Sequence, residues 1–101
     1  MLSLLTPACQ PTQPQASGGA ATATGVVISA DGPDATRVDR FSLRTNDGHV
    51  LMFQVGTLDV ANGGLPAPHL REHLVSGDPI TVTYNVAGTD NVAIRYVDAA
   101  Q

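Results

Sequence analysis

The sequence predicts a mainly β domain of five strands and one short helix, in the order β-β-β-α-β-β. Three observations carry this. Short β-branched or alternating apolar runs recur along residues 23–56 and 79–98. Turn formers punctuate them at Asp31-Gly32-Pro33-Asp34, Asn46-Asp47-Gly48 and Ala87-Gly88-Thr89-Asp90. One segment breaks the pattern: His69-Leu70-Arg71-Glu72-His73-Leu74-Val75 sets Leu70 and Leu74 four residues apart, on one helical face.

Taken in order, Val26-Val27-Ile28 centres a first strand over about 23–30. The second spans about 37–45, with Phe41 and Leu43 on one side and Arg40, Ser42 and Arg44 on the other. Val38 is out of phase with Phe41, which predicts a bulge near Asp39. Asn46-Asp47-Gly48 is a hairpin turn, because Asn, Asp and Gly accept positive φ. The third strand, about 49–56, is apolar on both faces, as in a strand bent across a barrel. After the Asn62-Gly63-Gly64 loop, Pro66 or Pro68 opens a helix of about 8–10 residues. Ser76-Gly77 ends it, with Leu70 and Leu74 as its buried stripe. The fourth strand, about 79–86, alternates Ile80, Val82, Tyr84 and Val86 with Thr81, Thr83 and Asn85. The fifth, about 91–98, alternates Val92, Ile94 and Tyr96 with Ala93 and Arg95.

This is the order of the OB-fold, a small five-stranded barrel with its helix between the third and fourth strands. An SH3-like barrel or another α+β roll uses the same elements. The chain also resembles small bacterial envelope proteins of lipoprotein type that carry an OB-like barrel. The resemblance rests on Phe41-Ser42-Leu43-Arg44-Thr45-Asn46-Asp47-Gly48, on Leu65-Pro66-Ala67-Pro68-His69-Leu70-Arg71-Glu72-His73, and on the Val82-Thr83-Tyr84 and Val97-Asp98-Ala99 segments. It implies a fold and a compartment, and it brings no activity.

Residues 1–9 resemble the end of a bacterial lipoprotein signal, in which a small residue, here Ala8, precedes the acylated cysteine, here Cys9. Thr6 stands where an aliphatic residue is usual, no basic residue precedes, and the apolar stretch is about four residues against the usual 7–15 or so. Residues 10–22, uncharged and without large apolar side chains, suit a flexible linker, and 23–101 form the barrel domain. The location this implies is extracytoplasmic, touching the membrane only through a lipid on Cys9. An incidental cysteine ahead of a cytoplasmic domain is the other possibility.

The net charge is −4, and the five basic residues are all arginine. Such a surface does not neutralise phosphates, which disfavours nucleic acid as a partner. A single cysteine excludes an internal disulfide. No serine lies in a nucleophile-elbow context, and no Gly-rich phosphate loop precedes a helix.

The sharpest chemical signal is His69-Leu70-Arg71-Glu72-His73, which matches the H-x-x-E-H pattern of inverted zincins. Residues four apart share a helical face, so both imidazoles can reach one ion, with Glu72 beside them. Those enzymes take a third ligand from a second helix in a much larger domain, and this chain predicts neither. A simpler metal site is open to His69 and His73, completed by His49, an aspartate or a second molecule, with Met52 as a soft donor for copper. Zinc and copper are the candidate ions. The structural role open to the same histidines is to cover the barrel rim beside the Leu70/Leu74 stripe, hydrogen-bonded to loop backbone or to Glu72. Arg40 and Arg44 form an exposed row that suits either an acidic ligand or a solvated face. Phe41 and Phe53 lie where OB domains stack bases, but alternation turns them inward.

The expectation is a non-enzymatic binding or accessory module of the cell envelope, with an envelope protein or a small ligand as partner. The alternatives are a metal-binding protein using the His69/His73 face and an OB-type nucleic-acid binder.

Overall fold

The computed structural model describes residues 20–61 and 63–99. The lipoprotein-like segment 1–9, Cys9 included, and most of the linker expected over 10–22 lie outside them. Five strands form a closed barrel: β1 (Ala21–Asp31), β2 (Arg40–Thr45), β3 (Val50–Val55), β4 (Ile80–Ala87) and β5 (Asp90–Asp98). A 3-10 turn at Ala67–His69 runs into α1 (Leu70–Ser76) between β3 and β4. The spatial order is β1-β2-β3-β5-β4, and β1 pairs with β4 to close the ring. All pairings are antiparallel except β3 with β5, where Gln54 faces Val92 and Val55 faces Ala93. This is the small OB-like barrel that the element order predicts.

Closure depends on β1, which pairs with both neighbours. Ala21 to Gly25 pair with β4, and Gly25 to Asp31 pair with β2. The strand therefore starts two residues before its expected beginning, with Ala21 opposite Tyr84. Gly25 is the pivot, facing Thr45 on one side and Ile80 on the other. A Cβ there would sit 2.2 Å from the Arg44 carbonyl oxygen, so the approach needs glycine.

The bulge expected near Asp39 falls just before β2, which itself pairs with β3 without a break from Arg40 to Arg44. The extra residues are Ile28 in β1, between the Val27–Leu43 and Ser29–Ser42 pairs, and Ile94 in β5, between Ala93 and Arg95. Val38 is buried just before β2 starts, where the Asp39 N–H donates to the Asp31 carbonyl at 2.7 Å. The Ile94 bulge switches the phase of β5. Ala93 and Tyr96, three residues apart, both face the core, while Val92 and Ile94 are half-buried.

Phe41 stacks on Phe53 with ring centroids 5.1 Å apart, and Tyr84 meets Phe53 edge-on at 5.0 Å. Val27, Leu43, Leu70, Ile80 and Val82 complete the interior. Full burial of each such side chain contributes about 1.5–3 kcal/mol. The outer face of β3 is solvent-facing, with Val50 and Met52 exposed.

Helix α1 covers one end of the barrel. Gly77 ends it with φ of 75°, its N–H donating to the His73 carbonyl at 2.9 Å. The buried stripe differs from expectation: Leu70 is buried, but Leu74 is exposed and His73 takes its place. Three-residue spacing from Leu70 also stays on one face, and it turns His73 toward Tyr96, 6.4 Å between centroids. Arg71 ties the helix to the β1–β2 connection. Its Nη2 donates to the carbonyls of Asp34 and Arg37 at 2.9 Å each, and Nη1 to that of Ala30 at 3.4 Å.

Candidate metal site

The site forms where α1 meets the ends of β4 and β5. His69 ends the 3-10 turn and His73 lies one helical turn on. Asp98 closes β5 opposite Ile80, the first residue of β4. Pro79 and Ala99 lock this corner, the Ala99 N–H donating to the Pro79 carbonyl at 3.0 Å. One ligand atom from each of His69, His73 and Asp98 lies within 4.8 Å of the others. The two imidazoles meet edge to face, 4.9 Å between centroids.

His73 is the fixed member, 5 % exposed. Its Nδ1 is 3.0 Å from the Asp78 carbonyl oxygen. A carbonyl only accepts, so the ring proton sits on Nδ1 and the lone pair of the neutral ring on Nε2. Asp98 Oδ1 lies 2.8 Å from that Nε2. It approaches off the line of a ring N–H, so Nε2, sealed from solvent, makes no aligned hydrogen bond. His69 repeats the arrangement at the rim, with Nδ1 3.2 Å from Glu72 Oε2. In both rings an oxygen acceptor occupies Nδ1. Histidines bound to metals have this outer contact, which sets the tautomer and aims the other nitrogen at the ion.

The pair opens onto a groove of about 680 Å³ lined by His69, Glu72, His73, Ser76, Asp78 and Asp98 among others. Below it, the Tyr96 hydroxyl donates to the Pro66 carbonyl at 2.6 Å, tying β5 to the start of the 3-10 turn. Burial, with smaller contributions from the charges of Asp98 and Glu72, holds the Tyr96 phenol well above the ordinary tyrosine range.

Of the expected site residues, His69 and His73 come together with Glu72 beside them. Glu72 contacts the back of His69 and is not itself in the three-ligand group. His49 is elsewhere, at the β2–β3 turn, with Nδ1 2.9 Å from Asp47 Oδ2. Met52 is exposed on the outer face of β3, also outside the group. Arg40 and Arg44 are exposed on β2, opposite Gln54 and Val50, and form no ion pair among the described residues.

Asp98 is the residue that sequence reasoning did not select. Three acids follow His73, and only barrel closure distinguishes them. The hairpin turn held a usable signal. Counting outward from the Ala87–Asp90 pair sets Ile80 opposite Val97, and the Ile94 bulge moves that partner to Asp98.

No protein-family model matches the chain, and no curated protein matches it, so the site is read from its own geometry.

Proposed function

We propose that this domain is a divalent-metal-binding module, with His69, His73 and Asp98 as ligands and zinc as the ion. The observation that carries this is the 2.8 Å approach of His73 Nε2 and Asp98 Oδ1. With the ring proton on Nδ1, the neutral ring keeps a lone pair on solvent-sealed Nε2, and a carboxylate oxygen lies beside it with no aligned hydrogen bond between them. A cation ligated by both atoms satisfies each of them once they separate slightly. Two imidazoles and a carboxylate suit zinc, and the exposed thioether of Met52 gives copper no support.

Zinc bonds of about 2.0–2.1 Å set tetrahedral ligand atoms about 3.3 Å apart. Binding therefore separates His73 and Asp98 slightly and draws His69 inward. His69 and Asp98 have the freedom to move, their side chains being 31 % and 68 % exposed. The module is non-enzymatic in this reading, since the Glu72 carboxylate orients His69 and is not placed as a base. The proposed setting is the bacterial envelope, with a lipid on Cys9 as anchor, supported by the Ala8-Cys9 pair and the uncharged segment after it.

Calorimetric titration of zinc into the full chain, compared with Asp98→Asn and His73→Ala, tests the site. Stoichiometric binding that both substitutions weaken supports it. Absence of binding, or binding that neither substitution changes, leaves His73 and Asp98 as a proton-bridged structural pair.

A further inference from the structure

We infer that the coordination position left open on this metal admits a neutral nitrogen donor of the imidazole class and rejects phosphate and carboxylate. This rests on the metal reading above and goes further by assigning the class of ligand that completes the ion. Three protein ligands leave a tetrahedral ion one position short, and His69 and Asp98 both border the groove through which that position is reached.

The groove is acidic. Glu72, Asp78 and Asp98 line it, and no arginine does. The guanidinium of Arg71, nearest in sequence, is turned away onto the carbonyls of Ala30, Asp34 and Arg37. Arg40 and Arg44 belong to β2, Arg37 to the β1–β2 connection, and the Arg95 side chain lies beside Gly63 and Gly64. A divalent ion is reduced to one positive charge by Asp98, and the carboxylates of Glu72 and Asp78 turn the rim net negative. An incoming anion meets that repulsion with no arginine side chain in the groove to offset it. Imidazole carries no charge to repel, and its lone pair is the donor type the ion already holds twice.

The chemistry matches a histidine side chain presented by a partner. Phosphate-bearing and carboxylate-bearing small molecules are the class excluded.

Cobalt-loaded full-length chain, titrated near neutral pH with imidazole, inorganic phosphate or acetate and followed by the visible cobalt absorption, tests the inference. Retained cobalt is checked by ultrafiltration. Imidazole should change the spectrum at concentrations roughly tenfold or more below those of either anion, with cobalt retained, as expected for electrostatic exclusion at a partly solvated site. Asp78→Asn removes one rim charge while keeping the backbone carbonyl that holds His73, so it should strengthen anion binding severalfold relative to imidazole. Anion binding equal to that of imidazole, or removal of cobalt by imidazole, overturns the inference and leaves the metal site standing. Failure of cobalt to bind at all overturns both.

Discussion

His73 Nε2 and Asp98 Oδ1 lie 2.8 Å apart, and with the Asp78 carbonyl at Nδ1 the neutral form of the ring offers Nε2 to a third group as an acceptor beside the carboxylate. The contact joins the buried face of α1 to the last residue of β5. What bridges the two atoms decides whether this corner of the barrel is a binding site or a structural pair.

Zinc should raise the thermal stability of the protein. A ligand bound only by the folded state, at about 100 times its dissociation constant, adds about 2.7 kcal/mol. For a domain of this size that raises the melting temperature by about 10 °C or more. Asp98→Asn changes a mostly exposed side chain and should fold normally while losing most of the shift. An equal shift in that variant would remove Asp98 from the ligand set.

Asp47 should titrate unusually low. Its carboxylate accepts a hydrogen bond from the Thr45 hydroxyl, and the His49 ring and backbone N–H add to it, so its pKa is held at about 2. The folded-state value lies below the ordinary 3.8, so the turn's contribution to stability is full above about pH 4 and is lost as pH falls through about 2. Carboxyl NMR titration reads this directly. Thr45→Val removes the largest cause and should move the midpoint back toward the ordinary value. A wild-type midpoint near 4 would contradict the geometry of the turn.

Gly25→Ala should be costly for so small a change. The new Cβ would meet the Arg44 carbonyl oxygen at 2.2 Å, between backbones with no flexible side chain to yield. Overpacking of this kind costs about 1–3 kcal/mol. Urea denaturation of the two proteins measures it, and equal midpoints would mean that β1 can move without opening the barrel.

Arg71→Lys should destabilise the domain by about 1–2 kcal/mol although it keeps the charge. The guanidinium fork reaches three carbonyls across the β1–β2 connection, and a single ammonium cannot. Hydrogen exchange should rise first in residues 31–37. Unchanged protection there would show that the connection is held by other contacts.

How much of this was legible in the sequence varies along the chain. Alternation identified Phe41, Leu43, Ile80 and Val82 as core, because each lies in a stretch paired without a bulge on at least one side. It misassigned Ile94, because one extra residue in β5 reverses the phase and brings Ala93 inside. The choice between Leu74 and His73 as partner of Leu70 was equally open locally. Four-residue and three-residue spacings both follow a helical face, and α1 has only seven residues to decide between them.

The sequence by itself determined the strand and helix order, the turns at Gly48 and Gly77, and the closeness of His69 to His73. These depend on backbone preference and on spacing within one element. Tertiary structure alone decided that His73 is buried and that the carboxylate of Asp98, rather than that of Asp78 or Asp90, reaches it. A ligand contributed from 25 residues away is set by the register of β4 on β5, and that register depends on a bulge no local pattern announced.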